Sequence, residues 1–442
     1  MDQLSAFSSL SEASDAVRRR ELKYGELVSG LLHRIQQLDP GINAWVAVDR
    51  ESALRQADAI DADLQDSSVD LHGLTIGVKD IIDVTGYATL AASPLRSMDI
   101  CEQDAPIVAR LRAAGAVIVG KTATTQWAFL DPPATRNPWR ADRTPGGSSS
   151  GSAAAVAAQM CHVTLGTQTG GSVIRPAAYC GVFGFMFAPD VVPAKGILPL
   201  APSLDRPGLI AGSLNDLQRT YCALASATAT ELSLERSHRL RIKVIRNPWM
   251  PSAAVDVREV FERAIAELPA RLHVPEMQAD LQDCDLAEEF DGVAAAHLCV
   301  MAFEAADVHR AAYAREPDRF APRISELIET GLKTTRGSYE QALDRLNQWQ
   351  ADIAEHTASG TVLVMPSAST AAPSRETTGD PSFNSPWTAA GTPVLTAPVG
   401  LSQEGLPLGI QLIAAPGAEA HLFELARCWE NGLGFPLLDQ QK

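Results

Sequence analysis

The chain has 442 residues, 46% of them hydrophobic, with 53 acidic against 37 basic side chains and a formal net charge of −16. That length and apolar content support a large buried core, while the absence of a Lys/Arg block leaves no footprint for nucleic acid. No stretch approaches the roughly 20 apolar residues that span a bilayer, and residues 1–13 lack the charged and apolar regions of a secretory leader.

Apolar residues at Leu22, Leu27, Leu31, Leu32, Ile35 and Leu38 recur at helical spacing. They predict a helix over 11–38, stopped by Asp39-Pro40-Gly41. WVAV at 45–48 reads as a short extended piece, and 51–64 as a second amphipathic helix. From Leu71 a β-prone run ends near Gly77-Val78, leaving Lys79 and Asp80 among apolar neighbours. A helix over 104–112 and a buried strand over 116–119 follow. Helices alternating with apolar strands imply crossover units and a largely parallel sheet. Residues 191–217 are punctuated by Pro and Gly, and Ser213 to Asp216 read as the cap of a helix. IKVI at 242–245 begins another strand–helix unit, with its helix over 255–268. Residues 285–356 are helical apart from a break at 331–338, which fits either a rim over a cleft or a plain helical layer. Strands are expected at 361–365, 393–399 and 408–414, and a last helix over 419–429. No period of 20 to 50 residues repeats, so the expectation is one α/β domain: a large, mixed, mostly parallel sheet covered by helices on both faces.

Residues 144–184, TPGGSSSGSAAAVAAQMCHVTLGTQTGGSVIRPAAYCGVFG, concentrate glycine and hydroxyl side chains. A Gly/Ser linker is the plain alternative, but the run leads straight into an Ala-rich helical pattern and a second glycine cluster. A phosphate loop is excluded because Gly-x-x-x-x-Gly-Lys-Ser/Thr is absent. What remains is a floor of hydroxyls at backbone bends, with N–H groups free to stabilise developing negative charge. Ser172, after Thr169-Gly170-Gly171, is the candidate nucleophile, and Ser148, Ser149 and Ser150 are candidates for relay or support. A serine hydroxyl needs a base. Lys79 either pairs with Asp80 or Asp83 or stands desolvated with a lowered pKa, able to act as that base. His72 and His162 sit in no comparable setting, and GxSxG is absent, so a Ser–Ser–Lys relay fits better than a Ser–His–Asp triad. The seven cysteines are odd in number and lack a CxxC, which points to free thiols in a reducing, cytoplasmic setting. No zinc-ligand spacing occurs, so no metal is expected.

GVKD at 77–80, the two glycine–serine runs at 144–158 and 166–181, PLAPSLDRPG at 199–208, and the closing elements Gly391 to Pro393 and Pro407 to Gln411 together resemble the amidase signature family. The resemblance covers essentially the whole chain and is nearest the malonamidase-like, small-amide branch. It implies an amide hydrolase needing no cofactor, releasing ammonia or a small amine from a small-molecule amide through an acyl-serine. It further implies Ser172 as nucleophile, Ser148 as bridging serine after a cis peptide, Lys79 as base, and Ser149 and Ser150 as support. The amides of Thr169, Gly170, Gly171 and Ser172 become the oxyanion hole. Arg175, three residues past the nucleophile, reads either as a salt bridge holding the loop or as a two-pronged grip on a substrate carboxylate. Residues 1–65 then form a helical packing segment, 66–220 the signature core and 285–356 a rim within one domain spanning 1–442. A homodimer is implied, with a small accessory protein left open. The amidase component of a tRNA-dependent amidotransferase and a non-catalytic scaffold are the competing readings. One departure stands out: where the family continues Gly-(Phe/Leu)-Lys-Pro-(Thr/Ser), this chain has Met186-Phe187-Ala188 after Gly184-Phe185.

Overall fold

A computed structural model describes residues 9–62, 71–225, 240–272 and 279–430. Eleven strands form one sheet: β1 Trp45–Val48, β2 Thr75–Lys79, β3 Val117–Thr122, β4 Val163–Gln168, β5 Phe183–Met186, β6 Arg206–Ala211, β7 Leu240–Asn247, β8 Ala279–Asp285, β9 Val362–Pro366, β10 Val394–Leu401 and β11 Pro407–Ile413. Their order across the sheet is β1-β3-β2-β4-β6-β5-β10-β11-β9-β7-β8. Alternate residues of one strand belong to opposite cores. Val117 and Val119 of β3 pack on one face and Ile118 on the other; Leu363 and Met365 of β9 oppose Val362 and Val364. This two-residue period is what a strand buried on both faces requires, and it bears out the doubly covered α/β sheet.

The parallel pairs gather in two blocks, β3-β2-β4 and β9-β7-β8. In each block, helices carry the chain between parallel strands: Pro106–Ala113 from β2 to β3 and Ser150–Ala157 from β3 to β4 in the first, Val255–Arg271 from β7 to β8 in the second. Between the blocks, β6, β5, β10 and β11 run antiparallel to their neighbours, so the expected mostly parallel sheet holds only at its flanks. The cause is local: residues 402–406 close β10 onto β11 as a hairpin, and the 187–205 connection brings β6 back beside β5.

The single helix expected over 11–38 is two, Leu10–Arg18 and Tyr24–Ile42. Arg20 takes a left-handed φ of 61°, which stops the first. The second runs through Pro40 to a left-handed Asn43. Ser213 caps Leu214–Ala225 as expected, its hydroxyl accepting from the Asp216 N–H at 3.1 Å. The 331–338 break narrows to a turn between helices Pro322–Lys333 and Arg336–His356. Two strands carry no clear sequence signal. β5 is four residues with a glycine inside, and β8, ADLQDCD, is an acidic edge strand without apolar alternation. Among the described residues, no helix is long and apolar enough to cross a membrane.

One buried ion pair fixes the end of β2. Asp80 and Lys121 are both sealed from solvent, with Nζ 3.0 Å from Oδ1. Lys121 also donates to the Ala88 carbonyl and Thr89 Oγ1, each at 3.1 Å. Removing one member of such a pair strands the other charge, so Asp80→Ala is expected to cost about 3–5 kcal/mol in urea unfolding. Replacing both residues by apolar side chains should cost far less.

Candidate active site

Lys79 ends β2, and strand alternation turns it away from Asp80. No carboxylate contacts it among the described residues. Its amine lies 2.7 Å from Ser148 Oγ, 2.8 Å from Thr167 Oγ1 and 3.4 Å from the Thr167 carbonyl. With 0% exposure, burial brings its pKa down to about 7, against a smaller upward pull from the Asp205 charge. Asp80 satisfies Lys121 instead, so the salt bridge weighed for Lys79 does not form.

The Gly147–Ser148 peptide is cis. Just beyond it the helix Ser150–Ala157 starts, wedged against β1 and β3 so tightly that a Cβ on Gly151 would sit 2.2 Å from the Ala44 carbonyl. Ser149 Oγ donates to the Thr167 carbonyl at 3.3 Å, and Ser150 Oγ to the Gly146 carbonyl at 2.7 Å. These two serines therefore hold the turn that carries Ser148.

The segment 169–172 leaves the end of β4 with each of its carbonyls tied. Thr169 O accepts from His297 Nε2 at 2.8 Å, and Gly170 O from Thr388 Oγ1 at 3.2 Å. Gly171 O accepts from the Arg175 N–H at 3.0 Å, and Ser172 O from the Ser149 N–H at 3.3 Å. None of the N–H groups of Gly170, Gly171 and Ser172 is engaged by a described residue. Peptide groups whose oxygens are all held elsewhere present their amides together, the arrangement that receives an anion. Gln168 fixes the following turn, its Oε1 accepting from the Val173 and Ile174 N–H groups at 3.0 Å each. Ser172 is 7% exposed, and its hydroxyl has no partner among the described residues, Ser148 included.

A cavity of about 260 Å³ opens alongside, bordered by Thr167, Thr169 and Asp205. Asp205 accepts from Thr169 Oγ1 at 2.5 Å and from the N–H groups of Leu200 and Ala201 at 2.8 and 3.1 Å. Burial raises its carboxyl to about 6, offset in part by those hydrogen bonds and by Lys79.

The family model described as Amidase matches residues 26–423. The chain belongs to the amidase family. It is 30% identical to the putative amidase AmiD of Mycobacterium tuberculosis, over 96% of this chain and 94% of that one. It is also 30% identical to a component of the glutamyl-tRNA(Gln) amidotransferase of Geotalea daltonii, with 96% of each chain covered. The X-ray structure of the peptide amidase from Stenotrophomonas maltophilia superposes with a TM-score of 0.82 at 25% identity, covering 100% of both chains. The protein is thus an amide-hydrolysing enzyme on an amidase fold.

In this amidase, Arg175 bridges two backbone segments beside the nucleophile turn. It has 0% exposure, is absent from the cavity wall, and donates from Nε to the Thr378 carbonyl at 2.9 Å and from Nη2 to the Gly147 carbonyl at 2.8 Å. Only Nη1 is without a partner among the described residues. It forms no salt bridge with them either; it ties the Gly147–Ser148 bend to the loop at 378. Met186, the departure from the family pattern, lies behind the same segment, where Gln168 Nε2 donates to its sulfur at 3.0 Å and to Thr388 Oγ1 at 3.1 Å. Phe185 and Phe187 pack with Tyr221 and Phe423 in the core.

Four residues of the site do not stand out from sequence: Thr167, Gln168, Asp205 and His297. The first two lie inside the GTQTGGS run. Asp205 is legible only as a lone acid in an apolar, proline-punctuated loop. His297 stands in the apolar helix Val293–Arg315, where a histidine reads as ordinary core.

His297→Leu removes the donor to Thr169 O and leaves a buried carbonyl unpaired, at about 1–3 kcal/mol. The expected result is a roughly 10- to 100-fold lower kcat with little change in KM. His297→Gln, which restores an N–H donor, should recover most of the loss; steady-state kinetics on one amide checks both.

Proposed function

We propose that this amidase hydrolyses a carboxamide through an acyl-serine on Ser172, with Ser148 passing protons between Ser172 and neutral Lys79. The observation that carries the reading is the setting of Lys79. A neutral amine has two N–H bonds and one lone pair. Thr167 offers two oxygens to the N–H bonds, which leaves the lone pair for the Ser148 hydroxyl. Lys79 takes the Ser148 proton as Ser148 takes that of Ser172, whose Oγ, free of other partners, rotates toward Ser148. The Ser172 oxygen attacks the amide carbon, and the carbonyl oxygen gains negative charge facing the amides of Thr169, Gly170, Gly171 and Ser172. When the C–N bond breaks, the relay runs back and the nitrogen leaves protonated as ammonia or a small amine. Water then gives its proton to the same relay, attacks the ester carbon and frees Ser172 with release of the carboxylic acid. Ser149, Ser150 and Arg175 act by holding the bend that carries Ser148.

The amidotransferase relative favours a second reading, in which the same chemistry serves a larger complex. Turnover of free amides by the chain alone, as a cytoplasmic homodimer, is expected under the first reading; activity only with partner proteins supports the second.

Ser172→Ala should lower amide turnover on the order of 10⁴-fold or more, and mass spectrometry should find no acyl adduct in that variant. Because Lys79 must be unprotonated to act as base, kcat/KM should rise as pH passes about 7 and level off above it. The Asp205 charge raises the Lys79 pKa, so Asp205→Asn should shift that rise to lower pH. A shift to higher pH, or none, counts against Lys79 as the base.

A further inference from the structure

The cavity wall carries apolar side chains from Ile81, Ile197 and Leu198 and two charged ones, Asp205 and Arg206. Arg206 opens β6, and the ladder sets it opposite Gln168 of β4, within the run that leads to Ser172. Asp205, its neighbour, accepts from Thr169 Oγ1. The charged part of the wall therefore adjoins the turn that bears the nucleophile.

A guanidinium has five N–H bonds in a fixed plane. Arg206 donates from Nη1 to the Asp205 carbonyl at 2.8 Å and from Nη2 to the Ser203 carbonyl at 2.9 Å. Both acceptors are backbone carbonyls, which orient the fork without neutralising its charge. The Nε–H is buried with no partner among the described residues, and each Nη keeps a second N–H. No described carboxylate forms a salt bridge with Arg206. Burial lowers its pKa, while Asp205, Asp190 and Glu304 pull the other way through space. Asp205 is committed to Thr169 and to the N–H groups of Leu200 and Ala201. Glu304 accepts from the Ser203 N–H at 2.9 Å, from Ser203 Oγ at 2.5 Å and from Tyr339 OH at 2.8 Å. It thereby pins the loop on which the Arg206 fork rests.

The rest of the wall has few donors. The N–H groups of Ile197, Leu198 and Asp205 go to the carbonyls of Ala194, Ile81 and Ala201 at 2.8–3.1 Å, and Pro199 and Pro202 have none. In such surroundings a cation with donors to spare is the group that discriminates between ligands. A ligand without an acceptor leaves it unpaired and desolvated, which is costly.

We infer that Arg206 is a specificity-determining residue that reads an acceptor oxygen of the substrate, so that preferred amides carry a second carbonyl or carboxylate oxygen a few bonds from the scissile group. A planar fork of N–H bonds receives either kind. A carboxylate gains more from the guanidinium and loses more to the Asp205 charge. The assignment rests on the acyl-serine reading of Ser172 for which bond is cut.

The test measures ammonia release by the intact enzyme from three amides of matched shape: 4-methylpentanamide, 4-oxopentanamide and succinamate. Their homologues one methylene longer complete the set. The expected result is kcat/KM roughly 10- to 100-fold higher for an oxygen-bearing amide than for its methyl-bearing counterpart, at one length or both. Preference for the ketone identifies a neutral acceptor, and preference for the acid a charged one. Equal values throughout, or a lead for the methyl compounds, overturn the assignment. Arg206→Leu should bring that ratio down to about one, and Arg206→Lys, which keeps the charge but not the fork, should lower it at least about threefold. A ratio unchanged in either variant overturns the assignment as well. Calorimetry with Ser172→Ala separates the two proposals. Tighter binding of the oxygen-bearing amide, lost on adding Arg206→Leu, while the native enzyme turns over no amide, keeps the Arg206 assignment and sinks the acyl-serine reading. Turnover that depends on Ser172, with equal binding of the matched amides, does the reverse.

Discussion

A lysine amine shut away from water, in contact with hydroxyl and carbonyl oxygens and, among the described residues, with no carboxylate, is the constraint from which the site follows. In a low-dielectric setting the ammonium form loses its hydration, and only a counter-charge could restore what is lost. The fold withholds one. The adjacent acid, Asp80, is turned onto Lys121, and the next nearest influence, Asp205, acts through space while its own oxygens are committed to Thr169, Leu200 and Ala201. Desolvation outweighs that residual attraction, and the amine is left near neutrality at physiological pH.

The same segregation governs the turn after β4. Four successive carbonyls are held by a histidine ring, a threonine hydroxyl and two backbone amides, each from a different part of the chain. Their N–H groups cannot turn inward without breaking those bonds. Gly171 completes the device: a Cβ there would lie 2.7 Å from Asn384 Oδ1 and 2.8 Å from Arg175 Nη1. The glycine reads less as a flexible joint than as a position where the neighbours leave no room.

Much of this is written plainly in the sequence. The strand-ending Lys79, the two glycine–serine runs and the apolar strands at 116–119, 361–365, 393–399 and 408–414 carry local signals strong enough to survive folding. Local signals do not give strand direction. The antiparallel centre of the sheet depends on how β5, β6, β10 and β11 are joined, which periodicity does not record, and β5 and β8 are too short or too polar to stand out. The role of Arg175 is hidden for a related reason. Its partners among the described residues are backbone carbonyls at 147 and 378, and backbone partners leave no trace in side-chain composition. His297 and Glu304 are obscured in the same way, since each meets a loop more than 100 residues distant in sequence.

Those two residues stand seven apart on the helix Val293–Arg315, close to two full turns, and so project from one face. One holds the first carbonyl of the turn after β4; the other holds the loop that forms the cavity wall. A single helix therefore fixes the turn that carries Ser172 relative to the loop that walls the cavity. Sliding or tilting that helix moves both together. Descendants of this enzyme could acquire new substrates through changes in a helix that contributes no serine or lysine to the site, and altered selectivity would then arrive coupled to altered turnover.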